Sequence, residues 1–333
     1  MARLTQSLAG TRRGIPLPVP TRELSAVSAD GVRIHTEVFG DESDPAIVLA
    51  HGWTCSIAFW APVIRELTAA GYRVVAYDQR GHGRTPAATP QAYSPATLAD
   101  DLCAVLGTAL AAGERAVVGG HSMGGMTLMA AAGRPELEQH AAAYLLCSTG
   151  ARRLLSEARV LPFRTPGARA RAHKLVLGSS APLGPVSPLT KKALKYATMG
   201  AGSAPAQVDF TARIVHSCPT GVRAAWGKVL AHLDLGAKVG ALTAPAAVVI
   251  GTEDRLTPQV HARELAEQLP DCAGLHTLTG LGHMAPVEAP EAVASVLKGL
   301  ARDHLTADAG SVPKPEKRGS RKRKTGTQQK EDS

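Results

Sequence analysis

The stretch RAVVGGHSMGGMTLMAAAG, residues 115–133, places four glycines around a single serine, Ser122, just after a pair of valines. Such a density of glycine costs backbone entropy, so it indicates a backbone that must adopt positive φ angles or lie against another segment. The apolar run before the serine predicts a strand, and the residues after it predict a helix to about Arg134. Ser122 is therefore expected on a sharp turn between a strand and a helix.

Short apolar runs alternate with helical patterns on both sides of this stretch. The predicted strands are 23–28, 32–39, 46–50, 73–77, 115–119, 141–149, 245–251 and 274–278, and the helices are about 57–70, 95–112, 123–134, 258–269 and from 290. Asp30-Gly31 separates the first two strands, and this turn pair favours an antiparallel hairpin. The others read as strands buried on both faces. The pattern predicts an α/β fold with a mostly parallel sheet of about eight strands and helices on both faces.

Residues 151–236 interrupt the alternation. They show no clear strand, are rich in Arg, Ala and Pro, and contain predicted helices near 152–160, 168–177, 189–199 and 205–217. We interpret them as a helical layer inserted into the fold. The expected division is an N-terminal extension (1–22), a core in two parts (23–150 and 237–305), the helical insertion (151–236) and a basic tail (306–333). The tail has few apolar residues, so we expect it to be disordered.

The net charge of +9 is unevenly distributed. Residues 151–200 carry ten Lys or Arg against Glu157 alone, and residues 311–333 carry eight against three acids. The insertion could attract anionic substrates or an anionic lipid surface, and a solvated helical face is the alternative. The RKRK of the tail could contact nucleic acid, but a solubilising tail is the simpler interpretation. We expect no specific nucleic-acid partner.

The location of the protein is predicted from two further features. No apolar run approaches the roughly 18 to 20 residues of a membrane helix, and the start, MARLTQSLAGTRRGIPLPVP, lacks the apolar region of a secretory signal. The five cysteines are scattered, with neither the spacing of a zinc site nor a CxxC motif. We expect a cytoplasmic protein without a transmembrane segment or a metal site, whose cysteines are reduced.

The pattern Gly120-x-Ser122-x-Gly124 indicates that this turn presents a reactive serine. On a strained strand-to-helix turn, the positions two before and two after the serine must lack a side chain so that strand and helix can pack closely. The following helix points its unpaired N–H groups toward the serine. The amide of Met123 is then one donor to a negatively charged oxygen.

A second donor is expected from the loop after the predicted strand 46–50. There the chain reads LAHGWTCS, and a turn at His51-Gly52 would direct the amide of Trp53 toward the same oxygen. These two residues alone would indicate only a turn. Beside the serine they predict an oxyanion hole.

A serine needs a base, and the base needs an acid to hold its tautomer. Among twelve histidines, His283 in LTGLGHMAPVEAP follows a strand on a Gly-rich loop, whereas His276 lies inside a predicted strand. Asp254 in VVIGTEDRLTP follows a buried strand; its neighbour Glu253 is the alternative, but adjacent residues in an extended loop point in opposite directions. Strand ends at one edge of a parallel sheet converge, which would bring Asp254 and His283 to Ser122.

Together these residues resemble an α/β-hydrolase with a cap over about residues 23–305. The matching positions are His51-Gly52-Trp53, DQRGHGRT at 78–85, Ser122 in its turn, Gly251 to Asp254, and Gly282-His283 in that order. The resemblance implies that Ser122 attacks an acyl carbonyl, His283 transfers the proton, Asp254 orients the imidazole, and the amides of Trp53 and Met123 bind the oxyanion. It implies no metal or organic cofactor. In the family the 78–85 block is mainly architectural.

The resemblance leaves the substrate open. The leading hypothesis is a carboxylic-ester hydrolase or lipase acting on a small acyl substrate of lipophilic or anionic character. Thioesterase, acyl-transferase, C–C bond hydrolase and cofactor-free perhydrolase activities use the same residues and stay as alternatives. Relatives that open epoxides carry aspartate in place of Ser122 and use tyrosines of the cap, where this chain has only Tyr196. A non-catalytic binding protein on this fold would commonly lack one of the three residues, and none is missing.

Overall fold

The computed structural model describes residues 15–305, and its centre is one eight-stranded sheet with the strand order β1-β2-β4-β3-β5-β6-β7-β8. In chain order the strands are β1 (Arg22–Val27), β2 (Arg33–Phe39), β3 (Ala46–Ala50), β4 (Arg73–Tyr77), β5 (Ala116–His121), β6 (Ala141–Cys147), β7 (Ala246–Gly251) and β8 (Cys272–Leu278). Pairing is antiparallel for β1 with β2 and β2 with β4, and parallel everywhere else. The predicted α/β fold, its hairpin and its parallel sheet are confirmed.

Helices cover both faces of this sheet. They are α1 (Ala61–Thr68), α2 (Pro95–Ala109), α3 (Met123–Ala131), α4 (Pro135–His140), α5 (Leu154–Glu157), α6 (Pro166–Leu177), α7 (Pro188–Thr198), α8 (Pro205–Ser217), α9 (Thr220–Leu230), α10 (Gly236–Val239), α11 (Gln259–Gln268), α12 (Ala285–Glu288) and α13 (Pro290–His304), with 3₁₀ turns at Ile57–Trp60 and Pro90–Ala92. Helices α5 to α10 lie between β6 and β7, and the term helical insertion is used below for residues 151–236.

The central strands are apolar throughout because each serves two cores. On β3, Ile47 and Leu49 pack into the core that contains α1 and α13, while Val48 packs into the core that contains α2 and α3. Alternating side chains point to opposite faces of a strand. A strand buried on both faces therefore reads as a continuous apolar run rather than as an alternating one.

The helix ends differ from the prediction where local chemistry stops them. The helix after Ser122 ends at Ala131 instead of Arg134, because Gly133 has a φ of +83° and Pro135 starts the next helix. The helix predicted near 152–160 is only α5, since the N–H of Arg159 donates to the carbonyl of Arg255 instead of continuing the helix.

Helix α9 was missed, although Val222, Trp226 and Leu230 have the spacing of one helical face and are all buried. The proposed division into core and insertion stays a prediction. Residues 1–14 and 306–333, which include most of the expected extension and the whole expected tail, lie outside the described residues.

Two further features bear on the predicted location. Within residues 15–305, no helix combines the length and the apolar character needed to cross a membrane. All five cysteines, which lie in the described part of the chain, carry free thiols. The predicted cytoplasmic location stays a prediction.

Candidate active site

Ser122 lies on a strained turn between β5 and α3. Its φ of 53° and ψ of −116° are unfavourable for a residue with a side chain, and such strain costs on the order of 1–3 kcal/mol. A Cβ atom at Gly120 would overlap the carbonyl of Gly124, and one at Gly124 would overlap the carbonyl of Ala50. The glycines on either side of the serine are therefore required by contact between backbones.

Hydrogen bonds hold this backbone in place. The N–H of Ser122 donates to the carbonyl of Cys147 at the end of β6 (2.9 Å), and the hydroxyl of Thr149 donates to the carbonyl of Ser122 (2.8 Å). Thr149 also fills the space beside Gly125, where a Cβ would lie 2.6 Å from its methyl group. The loop after β6 thus fixes the position of the serine.

His283 and Asp254 form a buried pair on the loops after β8 and β7. Nδ1 of His283 lies 2.8 Å from Oδ2 of Asp254, and the two residues are 3% and 5% exposed. A carboxylate can only accept, so Nδ1 carries the proton and Nε2 keeps its lone pair. This is the tautomer that a general base needs.

Asp254 has four donors around its carboxylate. Oδ1 accepts from the N–H groups of Leu256 and Thr257 (both 2.9 Å), and Oδ2 accepts from His283 and from the hydroxyl of Thr257 (2.9 Å). The neighbouring Glu253 points elsewhere, because its Oε2 accepts from the N–H of Ala201 in the helical insertion. The structure thus brings Asp254, not Glu253, to the histidine.

His121 connects the serine turn with the His283 loop. Its Nε2 lies 2.9 Å from the carbonyl oxygen of His283, and the two imidazole rings are 4.9 Å apart between centroids. Since Ser122 follows His121 directly, the serine and the histidine–aspartate pair lie at the same edge of the sheet. The half-buried Ser122 hydroxyl makes no hydrogen bond to any residue in the range 15–305, as is common for catalytic contacts before a substrate binds.

The loop after β3 lies against Ser122. A Cβ at Gly52 would be 3.2 Å from Cβ of Ser122 and 2.7 Å from Nδ1 of His121, so this position also requires glycine. The backbone N–H groups of Trp53 and Met123 have no acceptor among the described residues. These are the two amides that the sequence predicts as oxyanion donors.

Two buried histidines shape the Trp53 loop and are not free to act as bases. His51 accepts from the N–H of Gln79 through Nε2 (3.0 Å) and lies 2.7 Å from the Gly52 carbonyl through Nδ1; His82 accepts from the N–H of Thr54 through Nε2 (3.2 Å). Burial lowers the pKa of His82 to about 4 and that of His51 well below its ordinary value. Both are neutral, structural groups at neutral pH.

The DQRGHGRT block after β4 is architectural in this structure too. The carboxylate of Asp78 accepts from the backbone N–H groups of Ile57 (2.8 Å) and Arg84 (2.7 Å). Arg80, fully buried, makes two hydrogen bonds to Asp101 and an ion pair with Asp30. These contacts anchor the loops under the Trp53 turn.

Glu288, at the end of α12, is a positioning residue that the sequence analysis missed. Its carboxylate accepts from the N–H groups on both sides of His283, those of Gly282 and Met284 (both 3.1 Å). It also accepts from the N–H of Gly200 (2.7 Å) and the hydroxyl of Ser203 (2.7 Å) in the helical insertion. The signal that the sequence offers is an acid five residues after His283, just before the last helix.

The helical insertion covers the site from two sides. The N–H groups of His283 and Met284 donate to the carbonyl of Thr198 at the end of α7 (2.8 and 3.2 Å). The indole N–H of Trp53 donates to the carbonyl of Arg223 in α9 (3.0 Å). The insertion is thus bonded to both the base loop and the oxyanion loop.

A cavity of about 670 Å³ lies away from these residues, between the Pro90–Pro95 segment and α9. Its lining includes none of Ser122, His283, Asp254, Trp53 and Met123. Across the described ranges, no cluster of three or more His, Cys, Asp or Glu side chains is arranged to hold a metal ion.

Comparison with known proteins identifies the family of the chain. The model of the alpha/beta hydrolase family matches residues 47–296. RutD of Variovorax paradoxus (strain S110), a candidate carbamate hydrolase, is 31% identical over 278 residues, which span 81% of this chain and 96% of the relative.

Solved structures agree. A thermophilic esterase from Thermogutta terrifontis superposes with a TM-score of 0.67 at 22% identity, over 85% of this chain and 100% of that one. The enol-lactonase of Burkholderia xenovorans LB400 gives 0.66 at 23%, over 84% and 100%. Identities this low demonstrate a shared fold, whereas the family match rests on sequence. The chain belongs to the alpha/beta hydrolase family.

Proposed function

We propose that the protein is a serine hydrolase that cleaves carboxylic esters through Ser122, His283 and Asp254. The observation that carries the proposal is the 2.8 Å contact between Nδ1 of His283 and Oδ2 of Asp254, at the same sheet edge as the strained Ser122. An imidazole held in this tautomer directs a basic nitrogen away from the acid and toward the substrate side.

In the first half-reaction, Oγ of Ser122 attacks the acyl carbon while Nε2 of His283 takes the hydroxyl proton. The carbonyl oxygen becomes negative, and the free amides of Trp53 and Met123 donate to it. The tetrahedral species collapses, the bond to the alcohol breaks, and the alcohol leaves with the proton from Nε2. An acyl group stays bonded to Ser122.

Water completes the cycle. His283 takes a proton from the water as its oxygen attacks the acyl carbon, the same amides stabilise the second oxyanion, and the acid leaves as Ser122 recovers its proton. Asp254 keeps its charge throughout and stabilises the imidazolium that forms twice. Every step uses only groups that the chain supplies.

A fluorophosphonate probe tests the mechanism directly, because it reacts only with an activated serine. We expect mass spectrometry to find a single adduct, on Ser122, and none in Ser122→Ala. That variant should lose about 10⁶-fold in kcat on a p-nitrophenyl ester. An adduct on another serine, or most of the activity retained by Ser122→Ala, would contradict the assignment.

Carbamate hydrolysis is the second candidate function, and the similarity to RutD over 81% of the chain favours it. A carbamate is also an acyl compound, and the same serine, base and amides would act on it. Parallel assays with p-nitrophenyl esters of rising chain length and with a p-nitrophenyl carbamate separate the two. A higher kcat/KM for the esters supports the first proposal, and a higher value for the carbamate supports the second.

A further inference from the structure

Exposed apolar side chains are concentrated in one part of the helical insertion. Of the eleven large apolar residues that are exposed in the range 15–305, seven lie between residues 163 and 196. Leu175 and Leu189 are 78% and 77% exposed, and Phe163 is 47% exposed. Single exposed apolar residues are normal on a protein surface, but their concentration in one segment of the chain indicates a surface with a partner.

The same helices place basic side chains beside these apolar ones. On α6, Arg171 and Leu175 are four residues apart, and on α7, Leu189 and Lys192 are three apart, so each pair shares a helix face. All four residues are exposed. Each of these helices therefore presents a leucine beside a cation to solvent, and this pairing of apolar and basic side chains suits contact with a membrane interface.

Several cations of this segment lack compensating charge, although Arg152 and Arg153 are paired with Glu264. Between residues 151 and 200, ten Lys or Arg stand against Glu157 as the one acid. Lys191 is neutralised by Asp209, but Arg164, Arg171 and Lys192 form no ion pair with any residue that the structure describes. The surface is therefore both apolar and positively charged.

We propose that this docking face, which comprises Phe163, Arg164, Arg171, Leu175, Leu189 and Lys192, binds the protein to the surface of an anionic lipid membrane. The lipid headgroups supply the negative charge that the segment lacks, and the apolar side chains enter the boundary with the acyl chains. Charge complementarity selects this partner over a neutral lipid. Both terms act together, because neither a few cations nor a few leucines bind firmly alone.

Vesicle flotation of the full-length chain tests the proposal. We expect binding to vesicles of equal parts phosphatidylglycerol and phosphatidylcholine, and little binding to phosphatidylcholine alone. Arg164→Gln with Arg171→Gln and Lys192→Gln should weaken binding about 100-fold, since each basic residue near an anionic surface contributes about five-fold. Leu175→Ser with Leu189→Ser should weaken it by a similar factor at any salt concentration.

Matched control variants separate the docking face from general charge. The control variant Arg33→Gln with Arg263→Gln and Lys298→Gln removes an equal number of positive charges from the rest of the described surface. It should leave vesicle binding unchanged. A second control replaces Arg321, Lys322, Arg323 and Lys324 in the tail by glutamine. In that background, the docking-face substitutions should weaken vesicle binding by the same factor as in the parent. Val19→Ser with Val27→Ser is the control for the leucines.

Several results would overturn the proposal. Equal binding to neutral vesicles, an equal loss in the Arg33 control set, or full binding after the docking-face substitutions would each do so. The parent protein could instead be a dimer that does not bind vesicles. If Leu175→Ser with Leu189→Ser converts that dimer to a monomer, the docking face contacts a second copy of the chain. The experiment needs no catalysis, so its failure leaves the proposed reaction untouched.

Discussion

The sheet edge around Ser122 and the helical insertion that covers it are built in opposite ways. At the edge, glycines let backbones touch, and buried charges such as Arg80 are matched by named partners. At exposed positions of the insertion, Gly221 has open space around it and Arg171 faces solvent, whereas Gly200 and Gly227 lie against backbone carbonyls as the glycines of the edge do. We therefore expect substitutions at the edge to be poorly tolerated, because its glycines and charges are enclosed. Substitutions at exposed positions of the insertion should change the surface and leave the packing intact.

The difference explains why the two regions carry different information. The edge specifies a reaction, since a serine, an imidazole and two amides must keep their geometry. The insertion, by contrast, carries the exposed apolar and basic side chains for which we propose a membrane partner. Paired substitutions, one in each region, test this contrast, and they are ordered below by expected size.

Asp254→Asn should cause the largest effect, a fall in kcat of about 10⁴-fold, because an amide can hold His283 in the wrong tautomer. The fold should persist, since asparagine still accepts from the N–H groups of Leu256 and Thr257. Asp234→Asn is the matched change in the insertion, where the residue is exposed and accepts only from Gly236. Ester hydrolysis by that variant should equal the parent, and a comparable loss there would remove the contrast.

Arg80→Met should destabilise the protein by about 3–5 kcal/mol, because it leaves the buried carboxylate of Asp101 without its cation. The corresponding change in the insertion is Arg152→Met, which breaks a partly exposed ion pair with Glu264 and should cost less than about 1 kcal/mol, because Glu264 keeps its ion pair with Arg153. Urea denaturation measures both free energies of unfolding. Similar values for the two would show that burial is not what separates the regions.

Gly120→Ala should lower the free energy of unfolding by about 1–3 kcal/mol or more, because its methyl group would overlap the backbone of Gly124. Gly221→Ala, in α9 with no atom within reach of a new methyl group, should raise it by about 0.4–1 kcal/mol. Thermal unfolding should therefore shift in opposite directions. A shift of the same sign in both variants would contradict the packing argument.

The pH dependence of stability tests one buried histidine beside the Trp53 loop. Burial lowers the pKa of His82 to about 4, below the value of about 6.5 in an unfolded chain, so the unfolded state binds one more proton between these values. Stability then falls as pH decreases through this window, by about 1.4 kcal/mol per pH unit from His82.

His82→Gln keeps an acceptor for Thr54 and removes the titrating group, so its stability should depend less steeply on pH. Asp78, whose pKa is raised by burial, acts in the opposite sense, but it is present in both proteins and cancels in the difference. Equal slopes for parent and variant between pH 4 and 6.5 would show that His82 is not held neutral.

Sequence patterns predicted the sheet well because each central strand needs apolar residues on both faces, as Ile47 and Val48 illustrate. They also predicted which residues meet: Asp254 and His283 are in contact, although 28 residues separate them in the chain. Glycine spacing carried the prediction of the turn. The catalytic roles of these residues stay predictions until the probe experiment is done.

What the sequence concealed are residues whose contacts come from distant segments. Glu288 reads as a helix-start acid, yet its partners include Gly200 and Ser203, more than eighty residues away. Thr257, which donates to Asp254 and lies 3.2 Å from Nδ1 of His283, reads as a turn residue before Pro258. Helix α9 was concealed for two reasons. It contains two glycines, Gly221 and Gly227, and its buried face carries only a few large apolar residues.

The Glu288 carboxylate has a mechanical consequence. One side chain accepts from the backbone on both sides of His283 and from the segment that follows α7. The insertion therefore cannot lift from the sheet at this point without removing a partner from the group that aligns the base. The position of the insertion and the alignment of the base are therefore coupled through one carboxylate.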